Sequence, residues 1–491
     1  MKQYIKRLFS DSAAFAIATM GNKVVAAMLG PIYVAFLTAE GEIAEWGLTN
    51  TITLILTYLS MLGTDMAMAF YFYDAKNLTE RRVYFTNAIV YSAGACLVFT
   101  IFAFLFGAPL SEWIYEGPRD YSNLLPVAFL ATFGAIIIQH ILGYARYNRQ
   151  VWMFNIFSMA YVIGSNLLSV MFVVVYDLRV MGIFYGQLIG QLTVALILII
   201  LFRKEFVFRL SRKHLSDLIR YGAPLLPTLL AFWVMTSVSR PILYHIDSPL
   251  SADIFETCVR LASIIVLVTS PFQLAWRPFS MSIKERADAP QLFGLVGRAL
   301  LVAGTIAVML LAFFMKPLYN LYIIGRNDQS LAPGYIYVWA LSLGTLFNVL
   351  HNVFGVGLLI KKKTKVISYG FMIAAAVYLV GNLILVPVIS IWGTVIMTVL
   401  AYLFVIIWVY LKNQKVYPVD FRFRSIMIYL AVFFTAMIGV TWVQAYEIDY
   451  AWIYYLLAFG VTTGSVFATG LFSISALNRI GHLLPKLGGK G

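Results

Sequence analysis

Charge is what this sequence lacks. Only 12% of its 491 residues are Asp, Glu, Lys or Arg, while 61% are hydrophobic and the mean hydropathy is +0.84. A soluble domain is about 25% charged and about 45–50% apolar, so there is too little polar surface to solvate a globule of this length. The two cysteines, Cys96 and Cys258, both fall in apolar stretches and read as packing residues, which excludes a disulfide scaffold. No G-x-x-x-x-G-K-[ST] phosphate cradle occurs, so ATP hydrolysis is not expected as the energy source. No H-E-x-x-H run or Cys/His cluster suggests a metal centre. No loop is long enough for a soluble catalytic domain. No cofactor is expected, and energy would come from an H+ or Na+ gradient, the membrane potential or the substrate gradient. The net charge of +14 does not imply nucleic acid, because no folded domain is present to carry a basic face.

What is there is a succession of apolar segments. A helix needs about 20 such residues to cross the hydrocarbon core. Fourteen candidates run over residues 11–37, 46–71, 83–107, 122–145, 152–176, 180–202, 219–245, 253–276, 293–315, 334–360, 366–388, 392–411, 425–443 and 451–475. Their length argues for helices over barrel strands. The expected fold class is therefore all-α, a polytopic membrane protein of about 14 transmembrane helices.

The loops give the orientation. With the N-terminus inside, most of the 36 Lys and Arg fall in inner loops, and only Arg119, Arg179, Lys316 and Arg326 fall outside. Cations resist translocation, so both termini are expected to be cytoplasmic. Acids such as Glu40, Glu42, Glu45, Glu112, Glu116, Glu447 and Asp449 are assigned to the outer loops. No cleavable signal peptide is expected.

An internal repeat is visible. Arg149 followed by Gly164-Ser165-Asn166-Leu167-Leu168 matches Lys365 followed by Gly381-Asn382-Leu383-Ile384-Leu385, and Gly182 pairs with Gly393. The offset covers six segments, so the halves would be parallel repeats. This predicts a six-helix lobe over 1–214, a second over 215–418, and an appended helix pair with a cytoplasmic tail over 419–491.

The seventh and eighth segments carry Arg220-Tyr221-Gly222-Ala223-Pro224-Leu225-Leu226-Pro227, then Arg260-Leu261-Ala262 and Pro271-Phe272-Gln273-Leu274-Ala275-Trp276-Arg277-Pro278. These resemble the start of the second lobe in Wzx-type polysaccharide flippases, members of the multidrug/oligosaccharidyl-lipid/polysaccharide exporter superfamily. The Gly393 segment ending Tyr410-Leu411-Lys412-Asn413-Gln414-Lys415 is similar too. The resemblance implies a secondary-type carrier, not an enzyme, in the bacterial cytoplasmic (inner) membrane. It would move undecaprenyl-pyrophosphate-linked oligosaccharide from the inner to the outer leaflet for cell-surface polysaccharide export. Implied partners are that polyprenyl-pyrophosphate-linked oligosaccharide, the lipid bilayer and polysaccharide polymerase or export machinery. A lipid II flippase and a cation-coupled multidrug exporter are the related alternatives. An intramembrane acyltransferase or polymerase, or a scaffold, is the alternative from another class.

Ionisable groups inside spans are costly, and they mark candidate sites. Lys23, Arg240 and Arg260 would form a cationic cavity, since guanidinium forks match phosphate oxygens. Each has a structural alternative. Lys23 could pair with Asp65, and Arg260 with Glu256 one turn away; the arginines could also snorkel to the surface. Asp65, His140 and His351 are candidates for ion pairing or coupling. Both histidines also fit the role of a satisfied packing group, while His351 with Asn348 and Asn352 is the one acyltransferase-like set. Asn166, Asn382, Gln187 and Gln191 read as interhelical hydrogen-bonding residues, and Gly182, Gly186 and Gly190 as a packing face. Gly30, Pro31, Pro224, Pro227 and Pro241 interrupt helices and are candidate hinges.

Overall fold

The computed structural model describes residues 21–472 apart from 22–23, 26–27, 116–119, 208, 326–329 and 362. The chain is all-helical over this range. That follows from composition: in lipid every backbone group must find its partner within the segment or a closed sheet. Among the described residues twelve helices are long and apolar enough to cross a membrane. They are Glu42–Asp74, Leu78–Leu105, Leu124–Tyr147, Val151–Val174, Arg179–Leu201, Arg212–Ser237, Ala289–Phe313, Ala332–Phe354, Thr364–Ile389, Ile391–Gln414, Phe423–Ala445 and Ala451–Ala468.

Each coincides with one of the fourteen expected segments. The other two are the first and the eighth. The first lies partly outside the described residues; its helix is seen over 28–36. The eighth forms two helices, Pro249–Ala262 and Ile265–Ile283. The former carries Asp253, Glu256 and Arg260, which takes it out of the apolar range.

The chain divides into two compact units. The first contains the described residues through Leu261, with Asn320–Ala332 and Phe371–Ala401. One of its cores joins Phe85, Ile138, Ile141, Tyr144, Leu198 and Leu218. The expected glycine face is here. A Cβ on Gly186 would collide with the Ser169 backbone, and one on Gly190 with Ser165, so these glycines let the Arg179–Leu201 helix lie directly against Val151–Val174. That is the packing role expected of them.

The second unit contains Ala262–Tyr319, Pro333–Gly370 and the described residues from Tyr402 onward. Phe293, Phe347, Phe354, Phe421 and Phe433 are fully buried in it. Its fully buried polar contacts include neutral ones. Thr305 Oγ1 lies 2.5 Å from the Tyr429 hydroxyl, and Gln444 donates to the Ala312 carbonyl at 3.0 Å. Arg298 donates to the Gly294 and Leu471 carbonyls, both at 3.2 Å.

Three of the candidate hinge prolines coincide with helix interruptions. Pro224 sits in a 3-10 turn, Ala223–Leu225, between the helices Arg212–Gly222 and Leu226–Ser237, and Pro227 opens the latter. After Pro241 the helix widens into a π turn over Leu243–Asp247. Proline removes a backbone donor and its ring crowds the preceding turn, which accounts for both irregularities. Gly30 and Pro31 lie inside the 28–36 helix, where Gly30 makes room for the Tyr322 hydroxyl.

Candidate functional site

The site lies in the first unit, where the start of one helix meets two carboxylates from another. The Glu42–Met61 helix opens at Gly41, whose φ of 86° suits glycine. Gly41 has no side chain to cap the helix. Asp253 does it from 212 residues away, accepting the Gly41 N–H at 2.8 Å and the Ala44 N–H at 2.6 Å. Asp253 is fully buried. Two charge-assisted bonds and the positive end of the helix dipole offset its desolvation.

One turn in, Glu45 is also fully buried. Its two carboxylate oxygens accept from the Tyr121 hydroxyl at 2.7 Å and the Tyr244 hydroxyl at 3.1 Å. Glu42 accepts the Ala39 N–H at 3.0 Å. Glu42 and Glu45 were expected in a solvent-facing outer loop. They instead form the buried first turn of a helix, because neighbouring phenols and amides satisfy them.

The expected arginines come next along the same surface. Arg240 Nε donates to Glu256 Oε2 at 2.6 Å, and Arg260 Nη2 donates to Glu256 Oε1 at 2.7 Å. One carboxylate thus bridges two guanidiniums. The Arg260 bond is the one-turn pair allowed for in the sequence. The Arg240 bond is tertiary, and Arg240 is further tied to the Thr236 carbonyl at 2.8 Å. The Arg260 guanidinium lies 3.3 Å from the centre of the Trp46 ring, a close cation–π stack. Trp46 is itself held edge-on by Tyr33 at 5.0 Å.

Gly47, beside Trp46, is required by closeness: a Cβ there would stand 2.9 Å from the Glu256 carboxyl carbon. The arginine side chains keep 16% and 21% exposure against 5% for Glu256. The cluster therefore holds a buried anion beneath two partly accessible cations, with a formal charge of +1. It can accept an anion richer in oxygens than a carboxylate, since a guanidinium offers five N–H donors.

The other expected residues are placed as follows. Lys23 lies outside the described residues, so its pairing with Asp65 or with a substrate is not resolved by the geometry. Asp65 is half-buried in the first turn of the Thr64–Asp74 helix. His140 is fully buried close by. Its Nδ1 meets the Ile136 carbonyl at 2.9 Å, and its Nε2 the Thr64 and Ser92 hydroxyls, both at 3.4 Å. A carbonyl can only accept, so Nδ1 carries a proton, while Nε2 faces the two hydroxyls.

His351 belongs to the second unit, half-buried, and its neighbour Asn352 accepts the Trp276 indole N–H through its carbonyl at 3.3 Å. Asn382 joins two helices, donating to the Tyr378 carbonyl at 2.8 Å and accepting from Thr394 at 2.7 Å, as expected of a bridging amide. Asn166 is met by the Tyr33 hydroxyl at 3.3 Å and 3.4 Å. Among the described residues no group of three His, Cys, Asp or Glu is placed to hold a metal ion.

The residues the sequence reading missed are Glu256, Trp46, Gly47, Asp253 and Glu45. Glu256 was legible as the partner of Arg260 but not as a bridge. The acidic pair Glu42 and Glu45 at the start of an apolar run is a helix-opening signal that was assigned to a loop.

No known family model matches this chain, and no curated protein sequence matches it. Solved structures do. A lipid II flippase, MurJ, in an inward closed conformation superposes with a TM-score of 0.71 at 15% identity, covering 95% of this chain and 99% of that one. An inward-facing multidrug resistance transporter of the MATE family, in the MOP superfamily, gives 0.59 at 15% identity, covering 82% and 99%. A MATE transporter from Vibrio cholerae gives 0.53 at 14% identity, covering 84% and 96%. The chain has the fold of these transporters.

Proposed function

We propose that this chain is a flippase for polyprenyl-pyrophosphate-linked glycans in a bacterial cytoplasmic membrane. The observation that carries the reading is the cluster in which Glu256 bridges Arg240 and Arg260 under the Trp46 ring. In this reading the carboxylate holds the two guanidiniums in place and offsets one of their two charges until a substrate arrives. A pyrophosphate brings more charge and more acceptor oxygens than one carboxylate, so it can take over the exposed edges of both guanidiniums. The lipid tail stays in the bilayer while the polar headgroup crosses.

The substrate we favour is undecaprenyl-pyrophosphate-linked oligosaccharide, moved from the inner to the outer leaflet for surface polysaccharide export. Lipid II is the second reading, favoured by the near-complete overlap with a lipid II flippase. A cation exporter fits less well, because the cluster has a net positive charge and would repel an organic cation. The proposal includes both termini in the cytoplasm, the lobes 1–214 and 215–418 with the appended 419–491 segment, and coupling to an H+ or Na+ gradient through Asp65 or the histidines. Bending at Gly30, Pro31, Pro224, Pro227 and Pro241 would let the lobes alternate access.

The test is translocation in proteoliposomes, using an undecaprenyl-pyrophosphate oligosaccharide made accessible to an external enzyme once flipped. Wild type should flip it. Arg260→Ala and Lys23→Ala, folded by thermal-shift criteria, should each lose most of the rate. A charged hydrogen bond is worth about 1.5–3 kcal/mol, which corresponds to at least a tenfold loss. Wild-type rates in both variants would remove the cationic path from the account.

A further inference from the structure

The second unit contains a cavity of about 260 Å³ that none of the chemistry above uses. It is lined by Phe272, Gln273, Trp276, Ser280, Val349, Asn352 and Leu359. Among the described residues no charged side chain lines it. Phe272, Trp276 and Ser280 recur every four residues, so one face of the Ile265–Ile283 helix supplies two rings and a hydroxyl. Val349 and Asn352, three residues apart, supply an amide from the facing Val338–Phe354 helix.

The rings are fixed in place. Phe272 stacks on Trp276 with centroids 5.6 Å apart and planes 17° apart, and Phe293 meets the indole edge-on at 5.7 Å. The Trp276 N–H is spent on the Asn352 backbone carbonyl at 3.3 Å, which ties the indole to the facing helix. The Asn352 amide has only a long 3.5 Å bond to the Val349 carbonyl. Gln273 is exposed at the cavity, and its amide makes no hydrogen bond to any described residue.

Neutral amides inside a span are normally bound to a neighbouring helix. Here two of them converge, with little internal bonding, on a space walled by aromatic rings. A charged ligand would find no counter-ion among the described lining residues, and an acyl chain would leave the amides unsatisfied. What satisfies both walls is an uncharged ring with an apolar face and hydroxyl or amide groups at its rim. Ligand pockets usually run from about 300 Å³ upward, so this one suits a single ring unit rather than a long chain.

We infer that this cavity is a neutral sugar subsite, in which Phe272 and Trp276 offer the aromatic wall to a pyranose ring and Gln273 and Asn352 bond its hydroxyl or acetamido groups. The inference rests on the glycan-flippase reading in taking a sugar as the headgroup, and it names which neutral chemistry that headgroup presents.

The test uses free monosaccharides, so it needs neither pyrophosphate nor lipid. Saturation-transfer NMR would be run on the full chain in nanodiscs with N-acetylglucosamine and with methyl glucoside, and with 2-naphthol as an uncharged aromatic probe. Transfer to sugar ring protons is expected in wild type. Gln273→Ala, at an exposed position that should not disturb folding, and Asn352→Ala should each weaken binding about fivefold, the scale of one lost hydrogen bond. No transfer to either sugar, transfer to 2-naphthol alone, or unchanged binding in both variants would overturn the subsite. If the sugar binds but no lipid-linked substrate is flipped, the subsite stands and the flippase reading falls. If flipping proceeds with no free-sugar binding and is indifferent to both variants, the reverse holds.

Discussion

The two units handle polar groups in opposite ways. The buried acids Glu42, Glu45, Asp253 and Glu256 all belong to the first unit, as does the fully buried His140. The buried polar groups of the second are neutral: Thr269, Ser270, Ser280, Thr305, Ser342, Asn413, Gln444 and Thr462. Burying a carboxylate is tolerated only when partners surround it. Each acid of the first unit is accordingly met by backbone N–H groups, phenols or guanidiniums. Among its described residues the second unit buries neutral bonds, such as Thr305 with Tyr429, and keeps its ion pairs, such as Lys316 with Glu447, at exposed positions. The difference teaches that charge in the first unit is arranged for something beyond stability, since apolar residues would hold helices together at less cost.

The largest test of this contrast is Glu256→Ala. It would leave two partly accessible guanidiniums without the carboxylate between them, and breaking a buried pair costs at most about 3–5 kcal/mol. The thermal midpoint in detergent should fall clearly, and added pyrophosphate should restore part of it. A midpoint unchanged from wild type would mean the bridge carries no load. Next is Asp253→Ala, which removes the cap from the Glu42–Met61 helix. Cap losses run about 0.5–2 kcal/mol, and this one should sit at the upper end because the uncapped Gly41 and Ala44 N–H groups are buried. Hydrogen exchange at Gly41 and Ala44 would localise the effect.

In the second unit Thr305→Val keeps the shape and removes one neutral bond to Tyr429. It should cost about 1 kcal/mol by the same unfolding measurement. A cost equal to that of Glu256→Ala would erase the contrast between the units.

The smallest effect concerns a peripheral pair. Arg82 meets Glu205 at 2.8 Å and 3.0 Å, and Tyr144 donates to the same carboxylate at 2.9 Å. The Arg82 guanidinium holds the Glu205 carboxyl below its ordinary value of 4.5. A depressed carboxyl stabilises the fold above its unfolded pKa, and that contribution is lost as pH falls through the lower folded value. Stability should therefore decline below about pH 4.5 in wild type, and less so in Glu205→Gln. With both groups about a quarter exposed, the difference should stay within the range of surface pairs, about 1 kcal/mol or less. Identical pH profiles for the two proteins would show that the pair contributes nothing.

Much of the architecture was legible because bilayer physics writes it into local sequence. Twelve helices fall where runs of apolar residues predict them, and the glycine face of Gly182, Gly186 and Gly190 packs as its spacing requires. The eighth segment escaped because its first half is charged for reasons outside itself. Asp253 caps a helix over 200 residues away, and Glu256 answers Arg240 across a π turn that only the folded chain creates. The Glu256–Arg260 pair was readable at one-turn spacing. The phenols of Tyr121 and Tyr244 on Glu45 were not, since no local pattern marks which tyrosine of thirty turns inward.

The central claim is that Arg240 and Arg260 recognise a pyrophosphate. The direct measurement compares flipping of one glycan carried on undecaprenyl pyrophosphate with the same glycan linked to a neutral undecaprenyl alcohol, in wild-type proteoliposomes. The account predicts rapid translocation of the pyrophosphate-linked lipid and little of the neutral one. Equal rates for the two would contradict it.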